Sequence, residues 1–390
     1  MSTPIHDVVI VGGGPAGLYA AGQLADAGLD VVVLEEHEAW GQPVHCTGLV
    51  AAEAFVRFGL PPNVILNELQ TAQFFSPSNQ TVAFSSAKVE AVVIDRNLFD
   101  GAVAQRAEAA GARLVRGERV RRIEVEQHRI RVLTGTGNVV HGRCCVLACG
   151  ANYRFHRELG LGLPSVFLQS AQVEVPAKTI GDVELHFGTH VAPKGFGWAV
   201  PVMRGGRTFA RIGLMCDRMV ALFFQSFLER IAPRWGLSGV AELVPRRKML
   251  PLAPIGKTFS NRVLAIGDAA GLVKPTTGGG IYYSLVSAAL AGDVLIEALR
   301  SDCLDEGSLS RYEAEWRRGL KPEIESQLQF RLLVQDLDDS QIEDLFDLAK
   351  TNGLMPLVRR TARFNQHREL IVAILRHKEV RDVFFRRMLA

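Results

Sequence analysis

The chain reads as a mixed α/β protein in which a β-α-β dinucleotide-binding domain is interrupted by an antiparallel β-rich domain and followed by a helical C-terminal region. Three observations predict this. An apolar strand from Asp7 to Val11 runs into glycines and then into a helical pattern. Short alternating runs dominate residues 71–94 and 166–214, and from Leu309 onward the spacing of apolar residues is helical.

The first strand ends in Gly-Gly-Gly-Pro-Ala-Gly, a helix follows from Pro15 to about Gly28, and Val31 to Leu34 forms a second strand. Gly12, Gly14 and Gly17 have the G-x-G-x-x-G spacing, and Glu35 stands 23 positions after Gly12, at the end of the second strand. Gly12 permits the tight turn. Gly14 lets a pyrophosphate approach the backbone, and Gly17 brings helix and strand together. The helix N-terminus meets phosphate with free N–H groups and its positive dipole end, while the Glu35 carboxylate accepts ribose hydroxyl protons. Further along, Thr71–Phe75, Thr81–Phe84 and Val89–Ile94 read as strands, Arg96 to Ala110 as a helix, and Leu114–Val115, Val120–Val125, Arg129–Leu133 and Cys144–Ala148 as strands. A helix is predicted from Arg218 to about Arg234, and Val263–Ile266 returns to the first domain. The expected domains are residues 1–70, 88–155 and 252–302 for the dinucleotide, 71–87 and 156–251 for the β-rich part, and 303–390 for the helical region.

Composition narrows the function. With 390 residues, 48% hydrophobic and 22% charged, the chain is long enough for two or three domains with sizeable cores. The 44 Lys plus Arg nearly balance 41 Asp plus Glu, so the basic excess that a nucleic-acid backbone demands is missing. Cys46, Cys144, Cys145, Cys149, Cys216 and Cys303 show no C-x-x-C pair and no His at finger spacing, which predicts no metal site. With no uninterrupted apolar run of 18 residues and no leader-like N-terminus, a cytoplasmic location is expected.

The second chemical segment is Val263 to Tyr283. A strand ends at Gly267, Asp268 projects from the turn, and Gly278, Gly279 and Gly280 open a long apolar helix. Asp268 can hold a ribityl hydroxyl, and the glycines can present bare N–H groups where negative charge on a reduced flavin is stabilised. Four separated motifs now resemble the geranylgeranyl reductase family of flavoproteins, within the para-hydroxybenzoate hydroxylase-like superfamily. They are the Gly12 to Gly17 loop, Pro43-Val-His-Cys-Thr-Gly48, Asp95-Arg96-x-x-Phe99-Asp100, and Gly267-Asp268 with Lys274-Pro-Thr-Thr-Gly-Gly-Gly-Ile281. Gly195-Phe-Gly-Trp-Ala-Val-Pro201 is similar to the family's aromatic motif.

The resemblance implies a Rossmann-like FAD-binding domain with an inserted antiparallel β-sheet substrate domain. It places Ala16 and Glu35 on the adenosine half of FAD, and Asp268, Gly280 and Ile281 on the flavin half. Cys46 and Gly48 lie along the cofactor, Arg96 reaches it from its helix, and Val120 touches the adenine end. Each has a plainer alternative: a surface cap for Arg96, packing for Val120 and Cys46, a turn for Gly48. Cys46 and His45 are the candidate catalytic proton donors, and His45 is equally a hydrogen-bonded structural group. Phe196 and Trp198, two apart on one face of a strand, line a substrate tunnel or belong to the core.

One departure bears on the electron supply. Superfamily members carry Ala-Asp-Gly where this chain reads Ala148-Cys149-Gly150, so a thiol replaces the carboxylate that helps hold FAD and a nicotinamide cofactor. The donor is left open between NADPH, a ferredoxin-type protein and reduced quinone. The activity implied is reduction of isolated C=C bonds in a prenyl chain by hydride transfer, on a hydrophobic isoprenoid substrate. A flavin monooxygenase or halogenase, an electron-transfer flavoprotein to quinone, and a flavin-binding sensor are the alternatives. Arg359 to Ala390 interleaves nine Lys or Arg with apolar pairs, and reads either as a peripheral membrane contact or as a packed helical cap.

Overall fold

A computed structural model describes residues 4–351 and 354–385, so the last five residues of the basic tail lie outside the described residues. The chain divides into two compact units, each described by itself: Met1–Val44, Arg96–Val166 and Pro251–Ile324 form the first, and His45–Asp95, Phe167–Leu250 and Glu325–Ala390 the second.

The first unit is built on an eight-stranded sheet. Its main path runs Phe259–Ser260, Val263–Ala265, Val139–Leu147, Ile5–Val11, Val31–Leu34 and Arg113–Val115, and Ile130–Thr134 joins Val139–Leu147 and Val120–Val125 off this path. From Val263–Ala265 to Arg113–Val115 the pairings are parallel. Val8, Val9, Ile10, Val31 and Val33 are fully buried, as near-continuous Val and Ile runs should be in a parallel sheet covered on both faces. The helices Pro15–Asp26, Arg96–Ala109 and Ile281–Arg300 belong to this unit. Ile281–Arg300 is long and apolar enough to cross a membrane by length and composition, but Leu285, Ala288, Ala291 and Leu295 are buried, and Gln23 of the first helix donates to the Ala289 carbonyl at 3.2 Å and to Asp293 at 2.7 Å. It is a core helix.

The second unit carries a seven-stranded sheet in the order Arg246–Pro251, Phe167–Pro176, Arg207–Cys216, Phe196–Arg204, Val183–His186, Thr71–Phe75 and Thr81–Ser85. One pair, Val183–His186 with Thr71–Phe75, is parallel. The helix Val220–Trp235 buries Phe224, Phe227, Leu228, Ile231 and Trp235 in a cluster with Ala199, Ile212 and Leu214 of the sheet. Leu49–Ala51, Ala91–Ile94 and Ile65–Leu69 make a separate three-stranded antiparallel sheet. The helices Asp339–Thr351, Leu354–Thr361, Arg368–Arg376 and Lys378–Phe385 close around Leu337, Leu354, Val380 and Phe384.

These boundaries differ from the expected ones. Residues 45–70 and 88–95 group with the second unit because their strands pair with each other and have no register on the parallel sheet. The C-terminal helices do not form a region of their own: the division falls inside the helix Glu306–Val334, and the later helices group with the second unit. Among the described residues, the tail turns its apolar side inward, leaving Arg359, Arg360 and Arg363 exposed.

Candidate active site

In the first unit the glycine loop has the geometry that its spacing predicts. Gly12 has φ +109°, and a Cβ there would lie 2.4 Å from the Ala148 carbonyl oxygen; one on Gly17 would lie 2.1 Å from the Gly12 carbonyl oxygen. Both glycines are demanded by close approach of backbone. Gly14 differs, since a Cβ there meets nothing within 4 Å. No side chain caps the helix Pro15–Asp26 that Gly14 opens, and Ala16 is buried in its first turn. An open position beside uncapped amides is what a pyrophosphate requires. Glu35 accepts the Gly13 N–H at 2.6 Å on one carboxylate oxygen, and the His37 N–H at 3.0 Å on the other, with His37 Nδ1 at 2.5 Å. The carboxylate expected to serve ribose is thus oriented by the protein, and retains further lone pairs for hydroxyls.

The second segment folds back on itself. The short helical turn Gly267–Ala270 presents Asp268, and a Cβ on Gly280 would stand 2.7 Å from Asp268 Oδ1. Of the three amides expected to be bare, Gly278 donates to the Lys274 carbonyl at 2.8 Å and Gly279 reaches the Thr277 hydroxyl at 3.4 Å, because Gly278, at φ +70°, closes the turn around Lys274. The helix Ile281–Arg300 that follows has no side-chain cap. Tyr153 donates its hydroxyl to the Asp268 carbonyl at 2.6 Å, and the buried His156 places Nε2 at 2.7 Å from the Ala269 carbonyl. Burial holds His156 below its ordinary range, so it is neutral and donates from Nε2. Neither residue was singled out from sequence, and their separation of more than a hundred positions from the turn leaves no local signal.

Arg96 is no exposed cap. It forms a fork on Asp100, with Nε at 3.1 Å and Nη2 at 2.8 Å from the two carboxylate oxygens, and Asp100 is buried. Val120 starts the strand Val120–Val125 and is buried, a position that packing alone explains. The Cys149 thiol donates to the Asn152 carbonyl at 3.2 Å, and burial pushes it up to about 12. At neutral pH it is an uncharged donor and does not act as a carboxylate would.

The second unit holds the stretch His45–Gly48. His45 and Cys46 are half-buried, and the Gly48 N–H points at Cys46 Sγ at 3.3 Å. Gly48 itself has φ +74°, and a Cβ there would lie 2.5 Å from Arg211 Nη1 and 2.8 Å from the Ile94 carbonyl oxygen. Arg211, 1% exposed, donates to the carbonyls of Thr47 at 2.6 Å and Ile94 at 3.0 Å, and from Nε to Glu174 at 2.6 Å. Glu174 also takes Arg204, which pairs in turn with Asp95. Burial works to raise Glu174, but the two guanidiniums prevail and hold its carboxyl below the usual range. This chain of charges, buried at Arg211 and Asp95 and open to solvent at Glu174, pins the backbone of the Cys46 stretch.

Phe196 and Trp198 stand side by side on their strand, ring centroids 5.9 Å apart and edge to face. The row continues through Phe187, 6.0 Å from Phe196, to Phe74, 6.4 Å further. All four rings are half-buried. Gly213, paired opposite Trp198, makes room for the indole, since a Cβ there would fall 2.5 Å from Trp198 Cζ2.

An uncapped glycine-turn helix, an orienting acid and a second glycine-opened helix on one parallel sheet define a dinucleotide-binding protein of the flavoprotein type. A family model described as lycopene cyclase protein matches residues 7–350. A digeranylgeranylglycerophospholipid reductase of Methanothermobacter thermautotrophicus is 30% identical over 359 residues, covering 87% of this chain and 90% of that protein. Among solved structures, a geranylgeranyl bacteriochlorophyll reductase-like protein from Thermoplasma acidophilum superposes with a TM-score of 0.82 at 20% identity, covering 98% of this chain and 99% of that one. The halogenase PltM, solved in complex with FAD, shares the fold at a TM-score of 0.68 and 15% identity, over 98% of this chain and 85% of that one. The chain belongs to the family that this model describes, and to the geranylgeranyl reductase-type flavoproteins among which its curated relative is named.

Proposed function

We propose that the protein is an FAD-dependent oxidoreductase that reduces isolated C=C bonds in the prenyl chains of a geranylgeranyl-type lipid. Gly12, Gly14, Ala16, Gly17 and Glu35 hold the adenosine diphosphate half, and Asp268, Gly280 and Ile281 the flavin half, with Gly278 and Gly279 shaping the turn that leads to it. Arg96 and Val120 complete this unit's contacts with the cofactor, and for Cys46 and Gly48 of the other unit a place along it is what the family resemblance implies. When bound and reduced, the flavin supplies a hydride to one alkene carbon, and a proton completes the other. The chain's own part is to orient the alkene and exclude water. Phe196 and Trp198 bind the isoprenoid, and Cys46 or His45 delivers the proton. The observation that carries this reading is the row of four half-buried rings from Phe74 to Trp198, an apolar surface suited to a long hydrocarbon. The relative named digeranylgeranylglycerophospholipid reductase supports the lipid class.

Of NADPH, a ferredoxin-type protein and reduced quinone as electron donor, the uncharged Cys149 thiol, standing where the family resemblance puts a carboxylate, favours the latter two. Contact with an anionic membrane surface is made through the exposed cations of the tail, Arg359, Arg360 and Arg363, and not through its buried apolar side. Anaerobic incubation of the reduced protein with geranylgeranyl lipids tests the activity. Mass spectrometry should show products heavier by two hydrogens per bond reduced; unchanged lipid across several head groups and chain lengths refutes it.

A further inference from the structure

We propose that Gln172 is a positioning residue whose side-chain oxygen couples the stretch carrying Cys46 to the indole of Trp198. Gln172 lies in the strand Phe167–Pro176 and is 6% exposed. Its Oε1 accepts the Thr47 hydroxyl at 2.6 Å and the Trp198 indole N–H at 3.3 Å. An indole N–H can only donate, so the oxygen end of the amide must face Trp198, and Thr47 then donates to the same atom. Backbone and side chain of Thr47 are therefore held separately, the carbonyl by Arg211 and the hydroxyl by Gln172. The next residue back is Cys46, whose sulfur receives the Gly48 amide. On the other side the indole is confined over Gly213, where any side chain would collide with it.

The indole proposed to bind the prenyl chain and the hydroxyl of Thr47, the residue next to the Cys46 proposed to move a proton, thus share one buried acceptor. Turning the indole weakens the hold on Thr47, and loosening Thr47 releases the indole. This coupling rests on the functional reading above for its purpose, but its geometry is independent of it.

The test uses the purified full-length protein with its cofactor bound. Alkylation of Cys46 by iodoacetamide is followed by peptide mass spectrometry, which separates it from the exposed Cys303. Loss of one buried hydrogen bond corresponds to about a fivefold change, so Thr47→Val should raise the Cys46 alkylation rate and the lipid KM by roughly that factor, with kcat little altered. Thr47→Ser, which keeps the hydroxyl, should restore both. Trp198→Phe should also speed alkylation, and Thr47→Val added to Gln172→Leu should produce no further change, since both remove the same link. Wild-type alkylation in Thr47→Val, or effects of Thr47→Val and Gln172→Leu that simply multiply, would overturn the proposal. Should Gln172→Leu fail to fold, the Val and Ser pair at Thr47 still decides it. If no prenyl lipid is reduced but the alkylation pattern holds, the functional reading falls and the coupling stands.

Discussion

A methyl group on Gly280 would stand 2.7 Å from Oδ1 of Asp268 and 3.2 Å from Val273 Cγ1. Gly280 has φ −107°, an ordinary value, so its requirement is one of space and not of backbone strain. Gly280→Ala must push the Asp268 carboxylate from its place beside the helix Ile281–Arg300. With that hydrogen-bonding group displaced, flavin affinity should fall by roughly tenfold, the loss of one charged hydrogen bond. Gly279→Ala meets Lys274 Cε at 2.8 Å and not Asp268, so it leaves that carboxylate in place and should cost flavin affinity much less. Fluorescence titration of the stripped protein with FAD compares the two, and equal affinities would show that Asp268 does not hold the cofactor.

Gly14 and Gly17 separate ligand binding from folding. At Gly14 the backbone is extended, at φ −81° and ψ −179°, and an added Cβ touches nothing. Gly14→Ala should therefore leave the cofactor-free protein as stable as before, or up to about 1 kcal/mol more stable, while FAD binding weakens sharply. Gly17→Ala drives its Cβ onto the Gly12 carbonyl and should disrupt the fold with or without cofactor. Thermal melts with and without FAD give the comparison. A Gly14→Ala protein that binds FAD at wild-type strength would place the pyrophosphate elsewhere.

How much of this was legible beforehand follows from distance along the chain. The parallel strands announce themselves as unbroken Val and Ile runs, and the glycine loop and its acid lie within one β-α-β unit, where spacing alone states the geometry. The strands Leu49–Ala51 and Ile65–Leu69 are short and lack a clear alternation, so nothing local separates residues 45–70, which group with the second unit, from the glycine-loop domain before them. The supports of the site are the least legible part. Tyr153 reaches a carbonyl 115 positions away, Gln172 a hydroxyl 125 away, and Arg211 a carbonyl 164 away. No local pattern encodes such pairs, because the partner is a backbone group or a common polar side chain.

Two buried thiols make the protein sensitive to alkali. Burial pushes Cys144 up to about 12, and Cys145, fully buried beside it, well above its ordinary value. In the unfolded chain both ionise near 8.5. Above that pH the unfolded state holds fewer protons than the native state, so this contribution is complete below about pH 8 and is lost as pH rises toward the folded values, by about 1.4 kcal/mol per pH unit for each thiol. Cys144→Ala should flatten the fall in unfolding free energy between pH 9 and 11 by one such slope. Urea titrations across that range measure it, and parallel curves for variant and wild type would dismiss the argument.

Electron entry can be read from the flavin itself. Because the Cys149 thiol stays protonated throughout the physiological range, it supplies no negative charge at the position where the family resemblance implies a carboxylate. NADPH should bleach the bound flavin far more slowly than dithionite does, with no step in rate between pH 6 and 9 attributable to this thiol. Rapid-mixing absorbance gives both rates. Fast bleaching by NADPH would remove the case for a protein or quinone donor.

The last prediction concerns the stretch that carries Cys46. Gly48 at φ +74° leaves a side chain two penalties: the left-handed backbone costs about 1–2 kcal/mol, and its Cβ would press on Arg211 Nη1 at 2.5 Å and the Ile94 carbonyl at 2.8 Å. Gly48→Ala should thus destabilise by about 3 kcal/mol, more than strain alone, because it also dislodges a buried guanidinium from its carbonyls. Arg211→Ala takes this buried donor from two carbonyls, while the exposed Glu174 keeps Arg204, and should cost about 2–4 kcal/mol. Combined, the two changes should cost less than their sum, since without the guanidinium the new methyl has one collision fewer and nothing left to dislodge. Urea unfolding of the two single variants and the double variant measures the difference. Strict additivity would mean that Arg211 and Gly48 do not act on each other, and that the stretch is held by other means.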